Sequence, residues 1–418
     1  MATRVVTSLS AGIVALALVT VGGPGRTVAQ TVASDQSAGY VVFPKIVSDP
    51  NDVFQTGNRT DTVVQLTNTG SAIRVVHCFY VDATSLCSNG LNRFGTSEAC
   101  REASDCTPGG TCVPQWSEDD FTFVMSPRQP AGWSVTQGGV VPPANGSEGG
   151  PLAAVRTDYF VGELKCVEVD GTTAVNTTNR PINANDLKGE ASIYEVAPGA
   201  AGVSLVDVRE YNAIGIQAVL NDGLPQADRT MCLGPVAGGT PAPGSVCTTA
   251  EYAACPRNLI LNHRFDETGP VAPGGRWAGT ELTLVPCSEN LDDTSAARPV
   301  IGVQFTVYNE FEQRFSASTR FDCFKSTMLS RIDARAGAER SSIWNVAVQG
   351  TLTGQTRIRS VTGSEVNVGR GILAVAEESE VITGTAGSLG SAAYNLNYQA
   401  TNPGKFDVVV INASTPVP

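Results

Sequence analysis

Histidine is almost missing from this chain. Only His77 and His263 occur in 418 residues, so chemistry that needs an imidazole base has two places to sit. Charge is scarce as well. Asp, Glu, Lys and Arg make up 16% of the residues, against about 25% in an average soluble domain. With 43 glycines and 24 prolines, that scarcity argues against helical bundles, coiled coils and charged disordered chains. Positive charge is the rarer sign. The formal net charge of −12 argues against a nucleic-acid or anionic-membrane partner, since either needs a basic face.

The N-terminus reads as a secretory signal over residues 1–30. Arg4 supplies the positive start, Val5 to Val21 is apolar, and Thr27-Val28-Ala29-Gln30 offers small residues for cleavage. The apolar run contains Ser8, Ser10 and Gly12 and falls short of the ~20 residues that a membrane span needs. Removing it leaves 26 basic against 40 acidic residues, a net of −14. The expectation is an acidic, secreted or cell-surface product with no membrane span after cleavage.

What the sequence does have is cysteine, eleven of them, all after the signal. Cys87, Cys100, Cys106 and Cys112 are the densest group, the last three at six-residue intervals in Cys-Arg-Glu-Ala-Ser-Asp-Cys-Thr-Pro-Gly-Gly-Thr-Cys. The stretch is too small and polar to bury a core, so disulfides are expected to order it. Zinc is disfavoured because the paired C-x-x-C hooks of zinc modules are absent and an oxidising compartment disfavours free thiolates. Cys78 and Cys166 lie in apolar runs, and a cross-sheet bridge between them is expected. Cys287 and Cys323 form a comparable expected pair, while Cys232, Cys247 and Cys255 punctuate a Gly/Pro-rich connection. An odd count leaves one thiol buried or paired with another molecule. The Cys87–Cys112 segment resembles the small cysteine-rich insertions of exported bacterial β-sandwich proteins. The resemblance covers about 30 residues and implies architecture and export, with no activity and no site residues.

Short β-branched runs between turn residues recur along the chain. Asp61 to Thr69 alternates with period two, and Gly70-Ser71 is expected to turn it into Ala72 to Asp82 as a hairpin. Tyr159 to Val169, Ile301 to Tyr308, Arg314 to Phe324 and Trp344 to Leu352 are among the further expected strands. Helix signals are confined to Thr248 to Ala254 and Met328 to Ala336. The expected fold class is all-β, with two antiparallel immunoglobulin-like β-sandwich domains and a disulfide-rich insertion (87–112) in the first. The Gly/Pro-rich stretch 266–277 reads as a linker between residues 31–265 and 278–418. Val64-Gln-Leu-Thr67 followed by Cys78-Phe79 parallels Val303-Gln-Phe-Thr306 followed by Cys323-Phe324, a pattern that duplication or chance β-patterning would each produce.

No catalytic residue is assigned, and the chain is expected not to be an enzyme. Neither histidine accompanies a Gly-x-Ser-x-Gly elbow, and His77 and Cys78 are neighbours on a strand whose side chains diverge. Gly369-Arg-Gly371 and Gly404-Lys405 lack the rest of a phosphate-binding loop. Paired carboxylates are the remaining catalytic option, with Glu118, Asp119, Asp120 or Glu377 and Glu378 as candidates for a glycoside hydrolase. No cofactor is expected. Oxygen donors at Ser48, Asp49, Asn51 and Asp52 and at Asn290, Asp292 and Asp293 would suit calcium, although neither loop follows the D-x-D-x-D-G pattern. The preferred reading is a non-catalytic, self-assembling or protein-binding surface component. The alternative is a glycan- or peptide-binding module with Trp116, Trp133, Trp277 or Trp344 as platforms.

Overall fold

Apolar runs punctuated by glycine and proline become strands through most of the chain. The computed structural model describes residues 32–411 apart from 144–148, 156, 174–175, 200–201, 235–246, 268–275, 292–299, 336, 362–370, 383–387 and 402–405. The expected signal, Asp292, Asp293, Gly369 and Gly404-Lys405 therefore lie outside the described residues. The first half contributes β1 (Tyr40–Ser48), β2 (Arg59–Asn68), β3 (Arg74–Asp82), β4 (Ser117–Met125), β5 (Pro130–Ser134), β6 (Phe160–Val169), β7 (Leu187–Gly199), β8 (Gly202–Asn212) and β9 (Ile214–Ile216). A central sheet runs Val32–Ala33, β9, β1, β6, β3, β4, and an outer sheet runs β8, β7, β2, β5.

The second half supplies β10 (Thr230–Gly234), β11 (Pro256–Arg264), β12 (Arg276–Pro286), β13 (Glu289–Asn290), β14 (Val300–Asn309), β15 (Arg314–Asp322), β16 (Lys325–Met328), β17 (Thr353–Val361), β18 (Ile372–Ile382), β19 (Ser388–Asn395), β20 (Asn397–Thr401) and β21 (Asp407–Val410). Two sheets, β15-β14-β17-β11-β20 and β16-β12-β18-β19, face one another. A third, smaller sheet runs Tyr252–Ala253, β10, β21, β13. The fold is all-β. Within these sheets the pairings are antiparallel except for two short parallel contacts, 233–234 with 252–253 and 289–290 with 409–410.

Three cores follow from this arrangement. Val41, Phe43, Val76 and Phe123 of the central sheet meet Val64, Leu66, Ala191 and Trp133 of the outer sheet. The opposite face of the central sheet, with Val42, Phe79 and Val167, packs on Met231, Leu233 and Val409 of the small sheet and on Val285 and Leu373. Leu259, Phe305 and Ile358 pack on Leu282, Ala374 and Ala376 around Trp344 in the third. The central sheet is thus covered on both faces. Its strands β1, β3 and β6 are accordingly buried almost continuously rather than at alternate positions, with Lys45, His77, Glu163, Lys165 and Glu168 among the buried residues.

Several expectations are corrected. The segments 61–69 and 72–82 do not form a hairpin: β2 pairs with β5 and β7, whereas β3 pairs with β4 and β6. The short turn between them crosses from one sheet to the other, because each strand has its own apolar face to bury. The corresponding segments β14 and β15 do pair as a hairpin, so the two halves differ at the place where their sequences run parallel. Trp344 to Leu352 is not a strand. Asn345 accepts a hydrogen bond from the Ala347 N–H at 2.9 Å, and Gly350 closes the turn at φ 67°, making Val346–Gln349 one helical turn. The two expected helices reduce to a short strand at Tyr252–Ala253 and a 3-10 turn at Leu329–Arg331. Among the described residues no helix is long and apolar enough to cross a membrane. The stretch 266–277 follows β11, which is hydrogen-bonded to β17 and β20, so residues 256–264 go with the C-terminal sheet.

Five disulfides join Cys78–Cys166, Cys87–Cys106, Cys100–Cys112, Cys232–Cys247 and Cys255–Cys287. Cys78 and Cys166 stand opposite one another on β3 and β6, so their bond links neighbouring strands of one sheet and not two sheets. The expected Cys287–Cys323 pair is overturned. Cys287 at the end of β12 bonds to Cys255 at the start of β11, while Cys323 is buried at the turn between β15 and β16 with φ 54°. Replacing both Cys78 and Cys166 by alanine is expected to lower unfolding free energy by about 4 kcal/mol, because an 88-residue loop is released in the unfolded chain. Guanidinium unfolding of the double variant checks this, and an unchanged midpoint would contradict it.

Candidate functional site

A cleft of about 550 Å³ lies where the central and outer sheets meet β12, β16 and β18. Its floor is charged. Lys45 projects from β1, Arg209 from β8, Glu281 from β12 and Glu377 from β18. The Lys45 ammonium is 3.1 Å from both Glu281 and Glu377, and the Arg209 guanidinium is 2.9 Å from Glu377, 2.5 Å from Glu195 and 3.4 Å from Asp207. Glu281 and Glu377 are register neighbours on antiparallel strands, which places their carboxylates side by side over the lysine. Tyr211 anchors this floor by donating to the Lys45 carbonyl at 2.5 Å and accepting from the Lys45 N–H at 3.2 Å.

Burial and charge act against one another here. Desolvation alone would push the Lys45 ammonium down and the Glu281 carboxyl up. The opposed charges outweigh it, so Lys45 is held above its ordinary value and Glu281 below its own. The Ser326 hydroxyl also donates to Glu281 at 2.6 Å. Glu281 is therefore an ion-paired carboxylate and offers no protonated acid for glycoside hydrolysis, which needs one carboxyl with a raised pKa.

One wall comes from the cysteine-rich insertion. Ser85–Cys87, Ala99–Cys100 and Cys112–Pro114 form a three-stranded ribbon held by Cys87–Cys106 and Cys100–Cys112. Cys87, Cys100 and Cys106 lie close enough together to suggest a metal cluster, but all three sulfurs are used in disulfides. The ribbon is docked by the Arg101 guanidinium, 3.9 Å from the Phe54 ring centroid, and by Asn92 and Thr96 donating to the Val53 carbonyl at 3.3 and 2.6 Å. It presents Arg101, and Trp116 follows it, to the cleft. The facing wall carries Lys325, Met328 and Arg331.

The other candidates are dispersed. His77 is fully buried and its Nε2 lies 2.7 Å from Asp120 Oδ2; burial holds its pKa below the ordinary value despite the aspartate. Its neighbour Cys78 is a disulfide sulfur and carries no nucleophilic thiol. His263 belongs to a closed relay. The Trp344 indole N–H donates to Thr356 Oγ1 at 3.0 Å, the Thr356 hydroxyl donates to His263 Nε2 at 2.8 Å, and the Nδ1–H donates to the Arg264 carbonyl at 2.9 Å. Burial pushes its pKa down to about 4. Glu118, Asp119 and Asp120 sit on β4 and, unlike Glu377, do not line the cleft, and Glu378 points to the opposite side of β18, accepting from the Tyr394 hydroxyl at 3.0 Å. Of the proposed platforms, Trp133 and Trp344 are core residues, and Trp277 has no described side chain. Asp49 accepts the Val53 N–H at 2.9 Å, and Asp52 accepts from the Thr56 and Gly57 N–H groups at 2.7 and 2.8 Å, as turn-forming aspartates do.

Sequence reasoning picked out Glu377 and Trp116 but missed Lys45, Arg209, Glu195, Glu281 and Lys325. A signal for Lys45 existed: it interrupts the apolar run Tyr40-Val-Val-Phe-Pro-Lys-Ile-Val47, where a buried lysine requires acidic partners.

No protein-family model matches the sequence, and no curated protein matches it. Among solved structures, the CupB6 tip adhesin from Pseudomonas aeruginosa is similar at 10% identity over 93% of this chain and 95% of that one, with a TM-score of 0.14. A likeness at that level carries no argument about this chain.

Two predictions arise from these groups. Lys45→Met removes the cation shared by Glu281 and Glu377 and leaves only Arg209, at Glu377, to offset their charge, and about 3–5 kcal/mol of stability is expected to be lost near neutral pH. The pH dependence of this site's contribution should also change sign. In the parent, the folded Glu281 pKa lies below its unfolded value, so its contribution is present above about pH 4.5 and is lost as pH falls through the lowered value. In the variant, protonation relieves the repulsion, so its deficit in urea midpoint against the parent should narrow on acidification from neutrality. For His263, the unfolded chain takes up a proton near pH 6.5 and the folded protein only near pH 4. Stability should therefore fall across that window by about 3 kcal/mol through this residue. A His263→Gln variant should lack that part of the slope, and an identical pH profile would contradict the assignment.

Proposed function

We propose that this protein is an exported, non-catalytic surface component whose disulfide-stapled β scaffold associates with a second copy or a neighbouring protein. The observation that carries the reading is the cysteine chemistry: ten of eleven cysteines are joined in five disulfides, a state that an oxidising compartment maintains. The sequence's N-terminal signal pattern points the same way. A non-catalytic role is supported by the buried, hydrogen-bonded histidines and by the ion-paired state of Glu281.

Association is supported by β15. Among the described residues it pairs only with β14, so no described strand lies along its outer edge, and it alternates exposed and half-buried positions along most of its length. Val300 and Phe311, 46% and 65% exposed, flank the two ends of the β14–β15 hairpin. An open strand edge with apolar ends is a template for pairing with another chain.

Non-reducing peptide mapping of the exported protein, followed by sedimentation velocity over a wide concentration range, tests both parts. Five bonds, one thiol that alkylates only after denaturation, and concentration-dependent assembly are expected. Phe311→Asp should weaken that assembly by about tenfold or more, while an exposed site leaves folding stability within about 0.5 kcal/mol. A product with eleven reactive thiols would overturn the export reading, and a monomer at every concentration would overturn self-association.

A further inference from the structure

We propose that the cleft between the cysteine-rich insertion and the C-terminal sheets binds a carboxylated saccharide, a sugar chain carrying uronic-acid units. Its volume of about 550 Å³ falls within the range of small-ligand sites, roughly 300–1,000 Å³. The lining chemistry matches the two faces of such a ligand. Trp116 contributes a flat apolar surface of the kind on which the C–H face of a pyranose ring lies. Glu195, half-buried on the floor, is a carboxylate acceptor for ring hydroxyls.

The cations decide for an acidic sugar over a neutral one. Five cations and four carboxylates line the cleft, and on its walls Arg101 pairs with Asp105 at 3.4 Å and Arg331 with Glu339 at 3.2 Å. The floor cations Lys45 and Arg209 are already taken by acids. Lys325 is different. It is half-buried, no carboxylate lies within ion-pair distance among the described residues, and burial alone holds its ammonium below the ordinary value. An arriving carboxylate would supply the opposite charge that this ammonium lacks. Arg101 stands across from it on the insertion wall.

The wall is also built for preorganisation. Arg101 follows Cys100, and the ribbon that carries it is closed by two disulfides and seated on Phe54, so less ordering is required when a ligand arrives. The inference does not rest on self-association, since a monomer presents the same cleft.

Calorimetric titration of the oxidised protein with an oligogalacturonate, and with the same oligosaccharide after reduction of its carboxyls to alcohols, tests it. The acidic sugar is expected to bind about tenfold or more tightly than the neutral one, the scale of one charge-assisted hydrogen bond, and to weaken with added salt. Lys325→Gln should abolish the preference while leaving the neutral sugar's affinity unchanged, and Trp116→Ala should weaken both sugars. Unfolding midpoints of the variants identify any loss caused by misfolding, and Lys325→Gln alone then decides. No binding of either sugar, equal affinity for both, or an unchanged preference in Lys325→Gln would overturn the proposal.

Discussion

Burial of the central sheet on both faces is the constraint from which the other features follow. A sheet covered by the outer sheet on one side and by the small C-terminal sheet on the other has no solvent face to hold polar residues. Its charged side chains must then find partners on other elements. Lys45 takes Glu281 and Glu377 from β12 and β18, and Lys165, between Glu163 and Glu289, takes one partner from β13. These lysines tie the two halves of the sequence through charge as well as apolar contact. Such pairs add less net stability than their Coulomb attraction suggests, because desolvation opposes it, but losing one partner is costly. They act chiefly as constraints on how the sheets can be laid together.

Much of this was legible residue by residue, and little of it pair by pair. The all-β class, the strand character around Cys78 and Cys166, and the stapled insertion follow from β-branched runs, turn residues and cysteine density. Pairing does not. Asp61 to Thr69 and Ala72 to Asp82 look like a hairpin because a short turn separates two strands, yet a β-arch between sheets needs the same local sequence. Strand β1, in the central sheet, escaped notice because an apolar run holding a proline and a lysine lacks the alternation that marks a half-buried strand. Trp344 to Leu352 misled for the opposite reason. Its apolar residues suit a strand, while the cap at Asn345 and the turn at Gly350 set its backbone.

The cleft was harder to read, for a physical reason. Its charged floor is assembled from four strands spread over more than 300 residues, and none of Lys45, Arg209, Glu281 or Glu377 stands in a local motif. Glu377 attracted attention only because Glu378 follows it, and the two point to opposite faces, one into the cleft and one toward Tyr394. A count of charges could not tell that acids and bases would neutralise each other on the floor while Lys325 stood apart on the wall.

The bond between Cys78 and Cys166 has a mechanical side. It encloses the intervening segment, including the whole insertion and Trp116, in a covalent loop of 88 residues' separation. A chain drawn out from its two ends would transmit the load straight across this bond from β3 to β6. At about 3.4 Å per residue, roughly 300 Å of contour length would stay out of the extension. The insertion wall of the cleft would then be shielded from tension that unravels strands on either side of it, until the disulfide is reduced.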